Sequence, residues 1–121
     1  MSRKYCKTHE WVQKEGNLYV VGITDYAQEE LGDIVFMNLP NVGDEVIADE
    51  PFADVESVKA VSDILSPYTG RIAEVNEDLL DRPELINEDP YKAWIVKLED
   101  VSDSAELMGE AEYLAFIEQE G

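Results

Sequence analysis

A single lysine, Lys59, lies in the middle of the segment from Phe52 to Ile64, between two strand-like halves of similar length. Such a pattern predicts a β-hairpin with Lys59 at its tip. A lysine in a turn is exposed, and its four-carbon side chain projects a nucleophilic amine into solvent, where an acylating enzyme can form an amide with it. Between Lys14 and Lys92 the chain contains no other lysine. These residues are compatible with a modification site, although on this pattern alone an ordinary surface lysine is the commoner explanation.

The elements that must position Lys59 are short strands separated by frequent turns. Turn sequences lie on both sides of the hairpin, with Gly43-Asp44 before it and Ser66-Pro67 and Thr69-Gly70 after it, so a weak pseudo-two-fold symmetry is expected. Short strands with turns between them are typical of a β-sandwich or a small barrel. The predicted strands are residues 46–47, 52–55, 64–65 and 71–75.

The chain before Gly43 predicts a hairpin, a helix and a strand. Residues 15–17 supply the turn of the hairpin. Thr24 or Asp25 can cap the start of the helix, and Gly32 stands where a helix favours a left-handed residue at its end. The strand is a continuous apolar run, which predicts that it is well buried. The elements are the hairpin over residues 10–24, the helix over residues 25–31 and the strand over residues 33–39.

The chain after Val75 predicts a connection, one more strand and two helices. Prolines and asparagines interrupt the connection, which is therefore expected to be irregular and on the surface. Ser102 or Asp103 can cap the first helix, and the second has apolar residues that would face the body of the protein. The elements are the connection over residues 76–92, the strand over residues 93–99, the helix ending at Met108 and the helix over residues 112–117.

The composition is that of a small, acidic, globular protein. The chain has 121 residues, a formal net charge of −19 and 45% hydrophobic residues, which predicts one domain over residues 1–121. So much negative charge repels nucleic acid and anionic membranes, and neither is expected as a partner. Cys6 is the only cysteine, which excludes an internal disulfide and favours a reducing compartment. No apolar run is long enough for a membrane helix, and none follows the basic N-terminus as in a secretion signal.

Several motifs resemble those of one family, the glycine cleavage H proteins. Residues 55–60, followed by Ser62-Asp63 and Ser66-Pro67, resemble the lipoylation site of that family. Residues 9–12 and 21–27 resemble its opening strands and helix. Further segments extend the resemblance over nearly the whole chain: residues 31–36, Gly70 with residues 74–76, and residues 85–91 before Trp94. One departure is visible, because H proteins commonly have a glycine just before this tryptophan, where this chain has Lys92-Ala93.

The resemblance implies a fold and an attachment site. The fold would be mainly β, a barrel-sandwich hybrid of the lipoyl and biotinyl carrier type, with short helices near the N-terminal third and at the C-terminus. Lys59 would carry lipoate, joined to it as an amide. Glu56 and Gly70 match positions that the family presents to the lipoylating enzyme, although a surface acid and a turn glycine are ordinary explanations for them.

The resemblance also implies a cleft that shelters the loaded arm. Its residues would be Thr8, His9, Glu10 and Asp63. Since an aminomethyl group on the arm carries a protonated amine, the carboxylates of Glu10 and Asp63 are expected to hold it through charge-assisted hydrogen bonds. Thr8 would add a hydroxyl acceptor, whereas a lone histidine such as His9 is more often a structural hydrogen-bonding residue.

The implied function is that of a shuttle with no catalytic activity of its own. The arm would carry the aminomethyl intermediate of glycine decarboxylation between glycine decarboxylase (the pyridoxal-phosphate P protein), the aminomethyltransferase (T protein) and dihydrolipoamide dehydrogenase (L protein). Tethering would hold the intermediate at an effective concentration on the order of millimolar beside each docked enzyme. A monomer is implied, in the bacterial cytoplasm because Met1 lies a few residues before the matched region, or in the mitochondrial matrix if the protein is eukaryotic.

Other functions are compatible with a lysine at a hairpin tip. A lipoyl domain of a 2-oxoacid dehydrogenase typically has aspartate directly before the lysine, where this chain has Val58, and a biotinyl domain would have methionines in place of Val58 and Ala60. A protein that donates lipoate to other enzyme complexes is the main alternative. An acidic β-domain enzyme lacks support, because the sequence has no evident nucleophile and base pair or metal-ligand cluster.

Overall fold

The computed structural model describes residues 3–120 and folds them into two antiparallel sheets with four short helices. The predicted mainly β class is therefore confirmed, and neither sheet closes into a barrel within this part of the chain. The strands are β1 (Arg3–Cys6), β2 (Glu10–Glu15), β3 (Leu18–Ile23), β4 (Ile34–Asn38), β5 (Glu45–Val46), β6 (Pro51–Ser57), β7 (Val61–Leu65), β8 (Gly70–Val75), β9 (Val96–Glu99) and β10 (Leu107–Met108). The helices are α1 (Asp25–Leu31), α2 (Asp78–Asp81), α3 (Leu85–Glu88) and α4 (Glu110–Glu120).

The two sheets differ in size and in what covers them. The larger has seven strands in the order β10-β1-β2-β3-β9-β8-β5, and the smaller has three in the order β4-β6-β7. Successive side chains of a strand point to opposite faces. On β2, Val12 accordingly joins a core built from both sheets, while its neighbour Trp11 joins a second cluster on the opposite face, beside Tyr113 of α4. The seven-stranded sheet is thus covered by apolar contacts on both faces.

The predicted opening hairpin and first helix are confirmed. β2 and β3 pair antiparallel from Glu10↔Ile23 to Glu15↔Leu18. Helix α1 begins after Thr24, whose hydroxyl accepts a hydrogen bond from the backbone N–H of Ala27 at 3.2 Å. It ends at Gly32, which has a φ of 77°, a value that favours glycine.

Several of the sequence predictions are wrong in whole or in part, and the strand predicted over residues 93–99 begins only at Val96. Residues 102–108 are not helical: the backbone of Ala105 donates to the carbonyl of Pro67 at 2.8 Å, and β10 pairs with β1, a strand that the sequence did not predict. Residues 76–92 contain the short helices α2 and α3 and are not wholly irregular. The strand over residues 33–39 is buried on one side only, since Met37 is 1% exposed and Phe36 is 46% exposed.

The C-terminal helix is longer than predicted, running from Glu110 to Glu120. Tyr113 is buried, as expected from its apolar face, but Leu114 is 52% exposed. Within residues 3–120, no helix has the length and apolar character needed to span a bilayer.

Candidate functional site

The predicted hairpin with Lys59 at its tip is present. β6 and β7 pair up to Glu56↔Val61, and the chain reverses through residues 57–60, which we call the tip loop. The backbone N–H of Ser57 donates to the carbonyl of Ala60 at 2.8 Å. The Ser57 hydroxyl accepts from the N–H groups of Lys59 at 3.2 Å and Ala60 at 3.1 Å. The tip loop is thereby held by its own first residue, and Lys59 is exposed.

The residues that directly follow helix α1 contact the tip loop. The N–H of Val58 donates to the carbonyl of Asp33 at 3.0 Å. A methyl group added to Gly32 would lie 3.4 Å from Cε of Lys59 and 3.6 Å from Cγ2 of Val58. The aliphatic stem of Lys59 therefore passes over a residue that has no side chain, and the positive φ at the end of α1 places that glycine there.

Asn87 holds this end of α1, a role that the sequence alone does not predict. Its amide Nδ2 lies 2.9 Å from the carbonyl of Gly32 and 2.9 Å from Oε1 of Gln28. Its Oδ1 accepts from the N–H of Ile34 at 2.9 Å. Helix α3 thus fixes the chain on both sides of Asp33, the residue that supports the tip loop. These contacts join residues far apart in the sequence, so no local pattern predicts them. The only sequence signal is that Asn87 belongs to a segment that resembles a known family.

The two residues expected to guide the lipoylating enzyme lie in different sheets. Glu56 is half-buried on β6, paired with Phe36 on one side and Val61 on the other, directly next to the tip loop. Gly70 begins β8 in the seven-stranded sheet. A methyl group there would lie 2.8 Å from the backbone carbonyl oxygen of Glu99, so close packing of two strands requires glycine at this position.

Glu10 is a buried carboxyl at the opposite end of the hairpin from Lys59. It is 2% exposed. The hydroxyl of Thr8 donates to its Oε1, and its Oε2 accepts from the backbone N–H of Leu65 at 3.2 Å. Burial raises the pKa of Glu10 from 4.5 to about 7, against the opposing effect of these hydrogen bonds, and the charge of Asp49 adds to the rise. Thr8 and Glu10 are therefore in contact, as the predicted cleft requires. Glu10 also bonds to Leu65, which lies two positions after Asp63 on β7.

His9 faces a different neighbourhood. Its φ of 74° is unusual for a residue with a side chain. Its Nδ1 lies 2.8 Å from the hydroxyl of Tyr113, which is also 2.7 Å from Oγ1 of Thr24, and its ring tilts against that of Tyr26. These contacts tie β2 to helices α1 and α4, which agrees with the structural explanation that the sequence left open.

Asp63 is exposed on β7, opposite Asp54 of β6. Asp54 accepts a hydrogen bond from the side-chain amide of Asn38 at 2.7 Å. Asp63 thus lies on the solvent-facing side of the hairpin, whereas Glu10 is enclosed where the two sheets meet. The structure brings Thr8 and Glu10 together, but His9 turns toward α4 and Asp63 toward solvent.

Comparisons with known proteins identify one family. Residues 3–120 match the model of the family described as "Glycine cleavage H-protein". The glycine cleavage system H protein of Treponema denticola is 56% identical over 110 residues, which cover 91% of this chain and 90% of the relative. That of Halalkalibacterium halodurans is 56% identical over 120 residues, covering 97% and 94%.

A solved structure agrees with these sequence matches. The crystal structure of a glycine cleavage system H protein from Mycobacterium marinum superimposes with a TM-score of 0.89 over 94% of each chain, at 40% sequence identity. Its fold therefore matches the arrangement of sheets and helices described above nearly from end to end. On the evidence of the family model, the relatives and this structure, the chain belongs to the glycine cleavage H-protein family.

Proposed function

We propose that Lys59 is the residue through which this protein carries its lipoyl group. As a member of its family, the chain is a lipoyl-carrying shuttle of the glycine cleavage system and not a catalyst. The observation that carries the proposal is the exposed position of Lys59 at the tip of the β6–β7 hairpin, with its stem free to extend over Gly32. Such a site fits a flexible covalent arm, because the side chain of Lys59 is exposed to solvent.

Attachment requires an acyl transfer to Nζ of Lys59. The deprotonated amine attacks the carbonyl carbon of an activated lipoyl group; the C–N amide bond forms, the bond to the leaving group breaks, and the amine loses one proton. The attached group then supplies a disulfide whose sulfur can accept an aminomethyl unit. The contribution of the chain is to hold the amine outward on a fixed turn, through Ser57, Asp33 and Asn87.

Glu56 and Gly70 are proposed to help the lipoylating enzyme recognise the hairpin. For Glu56 the support is its place beside the tip loop, one residue before Ser57. For Gly70 the packing against Glu99 supplies a structural reason that needs no enzyme. The proposal for Glu56 therefore rests on more than that for Gly70.

Thr8, Glu10 and Asp63 are proposed to line a cleft for the loaded arm, whereas His9, which was also expected there, has a structural role through its contacts with Tyr113 and Tyr26. The contact of Thr8 with Glu10, and of Glu10 with Leu65 on β7, supports a common site near the hairpin. Comparing oxidised and loaded protein for the wild type, Glu10→Gln and Asp63→Asn tests this. If the two carboxylates hold a protonated amine, loading should raise the melting temperature only in the wild type, and equal rises in all three proteins would remove the cleft.

The partners in the glycine cleavage system are proposed to be the glycine decarboxylase, the aminomethyltransferase and the dihydrolipoamide dehydrogenase, besides the lipoylating enzyme. A monomer in the bacterial cytoplasm is also proposed, and the relatives named above are bacterial. No observation favours the alternative of a lipoate donor.

Peptide mapping tests the attachment site. The protein is incubated with a lipoylating enzyme and lipoate, and intact mass and digested peptides are measured for the wild type, Lys59→Arg and the matched control Lys92→Arg. The added mass should appear on the peptide with Lys59 in the wild type and the control, and be absent from Lys59→Arg. Lipoate on another lysine with Lys59 unmodified would remove the proposal.

A further inference from the structure

A cavity of about 290 Å³ with an aromatic wall lies between helices α1 and α4. Four of the six tyrosines of the chain line it: Tyr5, Tyr26, Tyr91 and Tyr113. Tyr5 and Tyr113 are buried and stack with ring centroids 4.7 Å apart, so this part of the wall is packed into the protein. None of the residues proposed for the attachment site or the arm cleft lines the cavity, which is therefore a separate feature of the molecule.

The border of the cavity is acidic. Asp25 and Glu29 of α1 and Glu110 of α4 line it and are exposed. Within residues 3–120, no lysine or arginine lines it, and no ion pair involves any of the three carboxylates. Since the chain has 28 acidic residues, carboxylates alone would not distinguish a site. Their combination with an aromatic wall does, because both attract a cation.

The chemistry of the cavity suits a guanidinium group. The face of a tyrosine ring attracts a cation, more often arginine than lysine. A guanidinium is planar and weakly hydrated, and its five N–H groups can reach carboxylates and hydroxyl oxygens together. The chain makes one such contact beside the cavity, where the guanidinium carbon of Arg3 lies 4.3 Å from the ring centroid of Tyr91. An arginine side chain from outside would find rings and carboxylates together.

Charge and position indicate which molecule supplies the arginine. A second copy of the chain has the same formal net charge of −19 and is repelled, so the arginine must belong to a different protein. Asp25 begins α1, and Gly32, directly after its end, lies under the stem of Lys59. The seven residues of α1 span about 10 Å. A protein bound at the cavity therefore lies about one short helix away from the base of the arm.

We propose that the cavity receives an arginine side chain of an enzyme of the glycine cleavage system and so binds that enzyme beside the arm. This inference rests on the proposed function, because the enzymes are the proposed partners of the shuttle. The guanidinium lies against the tyrosines and donates to Glu29 and Glu110, and the acidic surface speeds the encounter. Lipoylated and unlipoylated protein make this contact equally, because the arm takes no part in it.

A small probe tests the cavity without any enzyme. N-acetyl-arginine amide is titrated into isotope-labelled protein, and N-acetyl-citrulline amide, of nearly the same shape but uncharged, is the ligand control. The arginine probe should shift the backbone amide resonances of Tyr26, Tyr113 and Ile117 with a Kd of about 1 mM, as expected for one cation on an aromatic and acidic surface. The citrulline probe should not saturate. Equal shifts with the two probes, or no shift with either, would overturn the proposal.

Matched variants separate the local contact from the total charge. Glu29→Gln with Glu110→Gln removes two carboxylates that line the cavity, and Glu30→Gln with Glu112→Gln removes two exposed carboxylates of the same helices that do not. The first pair should raise the Kd of the probe about fivefold, as for two exposed ion pairs, and the second should change it little. Leu114→Trp, which fills the cavity and keeps its carboxylates, should also weaken binding. Equal effects of the two pairs would show that only overall charge attracts the probe and would overturn the proposal.

The partner is tested with purified glycine decarboxylase, aminomethyltransferase and dihydrolipoamide dehydrogenase. For at least one of them, Glu29→Gln with Glu110→Gln should raise the Kd about tenfold, as loss of a central contact does at protein interfaces. The control pair should change that Kd little, and the arginine probe should compete with the same enzyme. If the probe binds in the cavity but none of the three enzymes is affected, the cavity serves a free cation or another protein, and the assignment is overturned. Melting temperature verifies that each variant is folded.

Failure of this proposal can be told from failure of the attachment site. The enzyme measurements are repeated on Lys59→Arg, which removes the amine that would carry the arm. The variants should weaken binding of the same enzyme there by the same factor. If Lys59 is lipoylated in the wild type and no Kd changes, the cavity assignment is wrong and the attachment site stands. If lipoate is found on another lysine and the Kd still changes, the attachment site is wrong and the contact at the cavity stands.

Discussion

The two ends of the β6–β7 hairpin are held in different ways. At the far end, Leu65 donates to the buried carboxyl of Glu10, and Ser66 exchanges backbone hydrogen bonds with Asp49 and Glu50 at 2.8 and 2.9 Å. At the tip, residues 58–60 are exposed, and Val58 alone among them bonds to another element, through Asp33, in the part of the chain that the structure describes. The far end of the hairpin, which we call the root, is thus fixed by buried polar contacts, and the tip is fixed by a short turn. This arrangement suits a hairpin that must present an arm while its root stays in place.

This contrast predicts that changes at the root alter stability and changes at the tip alter modification. Four substitutions, ordered by the size of the change in stability expected for each, test this difference between root and tip.

Glu10→Gln should change how stability depends on pH. The folded state raises the pKa of Glu10 from 4.5 to about 7, so between these values the folded protein binds a proton that the unfolded chain has released. This group therefore stabilises the protein fully below about pH 4.5, and its contribution falls as the pH rises to 7, by on the order of 3 kcal/mol. Glutamine does not titrate and can still accept the hydrogen bond from Leu65.

The measurement is the free energy of unfolding by denaturant at several pH values between about 5 and 8. Glu10→Gln should gain stability relative to the wild type as the pH rises. Glu84→Gln removes the same charge from an exposed position and serves as control. Parallel curves for the wild type and Glu10→Gln would show that the buried carboxyl of Glu10 stays charged in the folded protein. The raised pKa predicted for Glu10 would then be wrong.

Gly70→Ala should lower stability by about 2 kcal/mol, because the added methyl would lie 2.8 Å from a backbone oxygen that cannot move independently. Thermal melting should shift down by several degrees, whereas Gly109→Ala, with no atom within 4 Å of the added methyl, should shift little. If Gly70→Ala melts like the wild type, the steric explanation fails. Any test of Gly70 in enzyme recognition must first compare variants of equal folded fraction.

Gly32→Ala should cost about 1 kcal/mol from its positive φ and also restrict the stem of Lys59. Gly43→Ala is the matched control, because Gly43 has a φ of 95° but no atom within 4 Å of an added methyl. Both variants should lose stability, but only Gly32→Ala should change the rate at which Lys59 is lipoylated. The same lipoylation rate in the two folded variants would mean that the glycine under Lys59 has no part in presenting it.

Ser57→Ala should have the smallest effect on stability, about 0.5 kcal/mol, since the lost hydrogen bonds are exposed to water. The backbone amides of Lys59 and Ala60 should exchange their hydrogens faster, which NMR can measure residue by residue. Ser62→Ala, which changes an exposed serine of the same hairpin, provides the comparison. Unchanged exchange would assign the shape of the tip loop to its backbone alone.

Features of the fold that depend on nearby residues could be predicted from the sequence. The β2–β3 hairpin, the cap of α1 by Thr24 and the turn at Lys59 all rest on residues a few positions apart, whose types favour those conformations directly. Residues 102–108 have acceptable helix-forming residues, and nothing local reveals that the chain near Pro67 pairs with them instead. Tertiary pairing overrides a weak local preference in such a short segment.

The site could be predicted to a similar extent. Lys59 stands out by its surroundings in sequence, and the resemblance to a family gave it a role. The burial of Glu10 could not be predicted, because its partner Leu65 is 55 positions away along the chain. The role of Asn87 and the steric requirement at Gly70 could not be predicted for the same reason, because both arise from packing between residues far apart in the sequence.

The pairing of β1 with β10 has a consequence for how the chain folds. Tyr5 lies opposite Met108, so the first strand finds its outer neighbour only near the end of the chain. The hairpin of β6 and β7, in contrast, joins residues within one short segment. Contacts between distant residues form late because the intervening chain must be closed into a loop. During synthesis the hairpin that bears Lys59 can form long before the sheet edge is complete, and pulsed hydrogen exchange during refolding should protect the amide of Val55 before that of Tyr5.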